Sequence, residues 1–124
     1  MDPLAEKVLT ETRKAALALP LVTEKLSHGE PTWFVDGKKS FAMFCTYHHG
    51  MRLGIWMAAP PGAQEMLIQS DGEKFYRPPY VGPRGWVGVN LDGEVDWDEL
   101  ADLLKEAYRA VGPPKYLKML EETP

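Results

Sequence analysis

Trp33-Phe34-Val35-Asp36-Gly37-Lys38-Lys39-Ser40-Phe41-Ala42-Met43-Phe44-Cys45-Thr46-Tyr47-His48-His49-Gly50-Met51-Arg52-Leu53-Gly54-Ile55-Trp56-Met57 alternates apolar side chains and is twice interrupted by turn residues. Asp36-Gly37 is a strong hairpin signal, because both residues tolerate the positive φ angles of a tight turn. His48-His49-Gly50 offers a second hairpin, a three-residue loop with glycine available for its left-handed position. With Tyr47 set opposite Met51, alternation sorts the strands into two faces. Phe34, Phe41, Met43, Cys45, Tyr47, Met51, Leu53, Ile55 and Met57 share one, which their bulk assigns to the core. Trp33, Val35, Ala42, Phe44, Thr46, Arg52, Gly54 and Trp56 share the other. Left uncovered, that second face would expose Trp33, Phe44 and Trp56 as an aromatic interaction surface beside Arg52. Covered by a helix, it would bury the tryptophans.

Helical signals flank these strands. Asp2 caps and Pro3 opens a helix whose apolar positions, from Leu4 to Leu19, recur at helical spacing until Pro20 stops them. Pro60-Pro61-Gly62 breaks the sheet, and Ala63 to Gln69 reads as a short helix. Trp86-Val87-Gly88-Val89 reads as a strand ending in the turn Leu91-Asp92-Gly93. Asp96 and Glu99 form a capping box for the next helix, with Val95 positioned to staple onto Leu100. Gly112-Pro113-Pro114 ends that helix, and a last one runs from Lys115 to Glu121. The order predicts an α+β domain of two layers: an antiparallel meander of hairpins with helices on one face.

Composition narrows the function classes. The chain has 124 residues, 44% hydrophobic and 26% charged, suiting one globular domain over residues 1–124. One cysteine allows no internal disulfide, and Met1-Asp2-Pro3-Leu4-Ala5-Glu6 lacks the basic start of a secretory signal. No apolar run reaches the roughly 20 residues of a membrane span. A monomeric cytoplasmic protein is the expectation. The net charge of −4 is unevenly spread: residues 94–105 hold five acids against one base, while residues 37–58 and 74–91 hold bases and no acid.

Candidate chemistry is sparse. Cys45-x-x-His48 is half a zinc site without its second half, since His28 would still need another ligand. A small core thiol and a hairpin histidine explain the pair more simply. Asp96, Asp98 and Glu99 are explained by compensation of a helix dipole, and no serine or threonine sits in a nucleophile elbow. Gly82-x-x-Gly85 lacks the Lys-Ser/Thr pair of a phosphate loop. No catalytic residue, metal ligand or cofactor is expected, and the chain reads as no enzyme. Arg77 to Arg84 is a rigid loop with Tyr80 inside it and Trp86 close behind. It is either a fold-defining crossover or a basic surface presented to an anion.

The stretch Arg77-Pro78-Pro79-Tyr80-Val81-Gly82-Pro83-Arg84-Gly85-Trp86-Val87-Gly88-Val89, leading into Leu91-Asp92-Gly93 and Val95-Asp96-Trp97-Asp98-Glu99-Leu100, resembles the signature of the MmcQ/YjbR family. Ala18-Leu19-Pro20, His28-Gly29-Glu30-Pro31-Thr32-Trp33 and Gly37-Lys38 before Phe41 agree, and the similarity runs from about residue 8 to residue 120. The resemblance implies a sheet with helices on one face, related to secretion-chaperone and frataxin-like (CyaY-like) folds. It also implies the "double wing" DNA-binding label that some members carry, and no catalytic residues.

Two function classes follow. One is a nucleic-acid-binding module, with DNA or another nucleic acid as partner, using Lys38, Lys39, Arg52, Arg77 and Arg84 on hairpin wings and the crossover. The other is a protein-interaction or chaperone-like adaptor using Trp33, Phe44 and Trp56. The resemblance favours the first, and the negative net charge favours the second, because phosphate neutralisation supplies most nucleic-acid affinity.

Overall fold

The computed structural model describes residues 2–122, with the side chain of His49 excepted. Asp2 caps α1 (Pro3–Leu17) by accepting from the Ala5 amide at 2.8 Å, as its position before Pro3 predicts. Four strands follow: β1 (Val22–Ser27), β2 (Glu30–Val35), β3 (Lys39–Cys45) and β4 (Gly54–Met57). After them come α2 (Ala63–Ser70), β5 (Phe75–Tyr76), β6 (Val87–Asn90), α3 (Trp97–Val111) and α4 (Pro114–Glu121). The strands form one antiparallel sheet in the order β1-β2-β3-β4-β6-β5. The α+β architecture expected from the meander is therefore the one observed.

Two turns carry the hairpins. His28-Gly29, with φ of 53° and 79°, joins β1 to β2, and Asp36-Gly37, with φ of 52° and 69°, joins β2 to β3. Both pairs sit in the left-handed region that a type I′ turn demands. The connection from β3 to β4 is different. Cys45 pairs with Gly54, so Thr46 to Leu53 form an eight-residue connection holding a 3-10 turn at His48–Gly50, not a three-residue loop.

That connection, together with a bulge, corrects the expected faces. Pairing Tyr47 with Met51 and pairing Cys45 with Gly54 differ by one residue, and a one-residue slip exchanges the faces. A bulge between Trp33 and Phe34 leaves Phe41 as the extra residue of β3. Phe41 and Ala42 consequently both turn to the core, and the parity of β3 is reversed beyond them. Trp33, Ala42 and Met57 lie in one row with Val87, and Phe44, Ile55 and Val89 lie in the next. All seven are buried.

Of the two alternatives for the aromatic face, the covered one holds for Trp33 and Phe44, which are 0% and 1% exposed under the helices. Phe41 meets α3 through Tyr108, edge to face at 5.7 Å between ring centroids. The Tyr108 hydroxyl then donates to the carbonyl of Pro20 at 2.8 Å, tying α3 to the end of the α1 segment. Tyr116 of α4 donates to Asp36 in the β2–β3 turn at 2.5 Å. That bond holds the Asp36 carboxyl below its ordinary range.

The covered face also holds a carboxylate. Glu24 of β1 accepts two bonds from Arg13 of α1, both at 2.8 Å, and one from the Trp33 indole at 2.8 Å. The Arg13 guanidinium, with the indole helping, holds the Glu24 carboxyl below its ordinary value of 4.5. A depressed carboxylate stabilises the fold fully above the unfolded value and loses that contribution as pH falls through the folded one. The stability gap between the wild type and Glu24→Gln should therefore be widest near neutral pH and shrink below about pH 4.5. Urea titrations at several pH values measure it, and a gap that does not change with pH would refute the assignment.

Candidate functional site

The second face of the sheet carries the site. Opposite pairing puts Thr32, Met43, Trp56, Gly88 and Tyr76 in one row across β2, β3, β4, β6 and β5. Phe34 and Ser40 pair beside that row, and Lys25 of β1 pairs with Thr32. Helices α1 and α3 pack on the other face, so this one is left for the segment between β5 and β6. The outcome is a cavity of about 780 Å³ over the sheet. That is within the range of roughly 300–1,000 Å³ typical of small-ligand sites.

Its floor and walls come from separate parts of the chain. Thr32, Phe34, Ser40, Met43, Cys45 and Trp56 belong to the strands. Ser27, His28, Glu30 and His48 border it at the end where β1 meets β2 and β3 ends. Tyr80, Val81, Arg84 and Trp86 come from the crossover at residues 77–86. The crossover is held in place by Gln64 of α2, which is buried and donates to the carbonyls of Gly82 at 2.9 Å and Trp86 at 2.5 Å. Arg77 lays its stem over Gly82, where an added Cβ would come within 2.8 Å of its Cγ, which is why glycine stands there. Tyr80 adopts φ of 64° and is 74% exposed. A large side chain in left-handed backbone marks a position the surrounding loop over-determines.

The bases expected on wings distribute unevenly. Arg84 reaches the cavity and stacks 5.2 Å from the centroid of the Trp86 ring. Lys25, not singled out from sequence, sits 4.7 Å over the Phe34 ring. Lys38 is 3.8 Å from Asp36 in the exposed β2–β3 turn, and Lys39 is exposed at the start of β3. Arg52 lies at the opposite end of the strands. It makes a bidentate pair with Asp92, at 2.9 and 2.7 Å, and reaches the Glu73 carbonyl at 3.4 Å. Arg52 is exposed, and its guanidinium is paired with Asp92 rather than directed to the cavity. The structure brings together Arg84 and Trp56 but neither of them with Arg52.

The aromatic trio is divided in the same way. Trp56 alone keeps its expected face, 5% exposed, with its indole donating to Tyr76 at 2.8 Å. Tyr76 covers Gly88, where a Cβ would fall 2.3 Å from the ring, so only glycine lets the ring lie flat on β6. Phe44 borders the cavity, but its register places the side chain with Ile55 and Val89.

One acid faces this basic and aromatic cavity. Glu30, 4% exposed, accepts from the Thr46 amide and, at 3.0 Å, from the Thr46 hydroxyl. His48 Nε2 lies 3.7 Å from the same carboxylate. Sequence reading missed Glu30, and its one signal was an acid set between the turn glycine Gly29 and the mostly apolar run Pro31 to Val35. Cys45 lies beside it, its thiol within 4.0 Å of the His48 carbonyl. Among the described residues no group of three or more His, Cys, Asp or Glu side chains is placed to hold a metal ion. No helix among them is long and apolar enough to cross a membrane.

The fold is that of an α+β domain whose helices back one side of an antiparallel sheet. The chain belongs to the YjbR family, whose family model, described as YjbR, matches residues 17–110. Among solved structures it is similar to Deinococcus radiodurans protein DR2400, which has a DUF419 domain. The TM-score is 0.71 at 19% identity, over 92% of this chain and 85% of that one. At that identity the likeness concerns the fold. The comparison with curated proteins gives no match.

Burial pushes the Cys45 thiol up from its ordinary 9.0, so it stays protonated and unreactive at neutral pH. Alkylation by iodoacetamide at pH 8 should be slower in the native protein than in urea by about a hundredfold. Equal rates would overturn the assignment of Cys45 as a packed thiol.

Proposed function

We propose that this domain binds single-stranded nucleic acid in the cavity on the sheet face opposite the helices and carries out no reaction on it. The observation supporting this is the cavity itself, lined by Phe34, Trp56, Trp86 and Arg84, with Arg84 on the Trp86 ring and Lys25 set over the Phe34 ring. Aromatic walls take up bases and flanking cations take up phosphates, the combination that single-strand binders use. A concave cleft of this size admits a splayed base and excludes a duplex, whose bases are stacked inside. The acidic start of α3 belongs to the layer on the other face, so the net charge of −4 does not repel a strand at the cavity. The absence of a catalytic role rests on the buried, raised Cys45 thiol and on the engagement of Glu30 by Thr46.

A protein partner is the second reading, favoured by one observation. Strand β1 ends the sheet order, and Leu26 on it is 74% exposed. An edge of that kind can accept an added strand.

Fluorescence anisotropy with labelled 12-mers at about 50 mM salt separates the two. Single strands should bind, duplexes of the same sequence at least about tenfold more weakly, and affinity should fall as salt rises. Arg84→Ala and Lys25→Ala should each weaken binding by about tenfold. Arg52→Ala should leave it unchanged, because that guanidinium already serves Asp92. Preference for duplex, or affinity indifferent to salt and to Arg84, would defeat the proposal.

A further inference from the structure

Tyr80 is held in a backbone conformation that its own side chain opposes. Its φ of 64° puts a bulky residue in the left-handed region, where the Cβ crowds the following carbonyl oxygen. The Val81 amide donates across it to the Pro79 carbonyl at 2.7 Å, closing a three-residue turn. With positive φ at its centre, that turn is the rare and strained form of the γ-turn. It persists because both flanks are fixed. Pro78 and Pro79 restrict the backbone before it. After it, the amides of Arg84 and Gly85 donate to the carbonyls of Val81 and Gly82 at 3.0 and 2.9 Å, and Gln64 grips Gly82.

Burial does not offset the strain, since Tyr80 is 74% exposed. A glycine would adopt the same φ with no Cβ to crowd. What the turn achieves is placement, for Tyr80 borders the cavity together with Val81 and Arg84. Trp56 and Trp86 border it too and are buried, so they form its inner walls and Tyr80 its outer rim. Arg84 comes between Tyr80 and Trp86 along the crossover, and no carboxylate among the described residues pairs with it. Ring, cation and ring in that order match base, phosphate and base in a strand.

We infer that Tyr80 is the stacking platform for a second base, so that the site takes two linked nucleotides rather than one. The inference rests on the cavity being the nucleic-acid site proposed above. The first base enters against Trp56 and Trp86, the linking phosphate lies at Arg84, and the next base stacks outside on Tyr80. Every base has a face to stack, so this second position does not select a sequence.

Tryptophan fluorescence titrations at about 50 mM salt with thymidine monophosphate, the dinucleotide pTpT and a deoxythymidine 12-mer test the inference. The dinucleotide should bind about tenfold more tightly than the mononucleotide, the gain from one stacked base. Tyr80→Ala should weaken the dinucleotide and the 12-mer by about tenfold and leave the mononucleotide unchanged. Tyr80→Phe should bind all three as the wild type does. Tyr80→Gly should bind like Tyr80→Ala, with a urea midpoint equal to or above that of the wild type, because glycine relieves the turn. Tyr80→Gly also carries the comparison should Tyr80→Ala not fold. Equal affinity for mononucleotide and dinucleotide would overturn the two-nucleotide site. So would dinucleotide binding unchanged by Tyr80→Ala, or mononucleotide binding weakened as much as dinucleotide binding. A lower urea midpoint in Tyr80→Gly would make the ring a packing element and overturn the assignment as well. Each of these outcomes leaves the cavity reading standing as long as Arg84→Ala weakens the 12-mer. Failure of the 12-mer to bind would overturn both.

Discussion

The extra residue in β3 governs the arrangement of this domain. Because Phe41 bulges out of register with Trp33 and Phe34, two consecutive side chains, Phe41 and Ala42, face the helices. Phe41 meets Tyr108 of α3, and Ala42 shares a row with Trp33 and Met57. Without the bulge, Met43 and Cys45 would point into the helical layer and Phe44 into the cavity. The bulge therefore decides which side of the sheet is packed and which is hollow. It also sharpens local twist, as bulges do, which suits a sheet that must be concave toward one side.

Two glutamates show how differently the sides are built. Glu24 faces the helices, and its charge is met in full by the Arg13 guanidinium and the Trp33 indole. Glu30 faces the cavity and is met by neutral donors of Thr46, with a histidine nearby. The first arrangement closes a structural joint between α1, β1 and β2. The second ties the start of β2 to the segment that follows β3, through the Thr46 amide and hydroxyl.

Much of the fold was legible in the sequence, because its signals were local. Asp2-Pro3, Asp36-Gly37, Asp96 and Gly112-Pro113-Pro114 each act through neighbouring backbone, and each lies at the boundary it marks, whereas Glu99, expected to complete a capping box, pairs with Lys74 instead. The faces of β2 and β3 were not legible, because parity is a long-range property. It depends on the bulge at Phe41 and on the length of the β3–β4 connection, and neither has a residue signature. Strand β5 was missed for a related reason: two residues, Phe75 and Tyr76, contain no pattern to read. Of the candidate site, Arg84, Trp56 and the crossover were foreseen. Glu30, Lys25 and Phe34 were not, since only the register brings them to one side with Trp56.

The tether of the crossover has a consequence for how the cavity behaves in solution. Gln64 grips Gly82 and Trp86 through an uncharged amide, so the wall that carries Tyr80 and Arg84 is fixed by bonds that neither titrate nor feel dissolved salt. The rim, in contrast, carries charges that dissolved salt screens. Shape and attraction are thereby assigned to separate parts of the molecule. A change of ionic conditions alters the field at the rim, while the outline of the hollow stays the same.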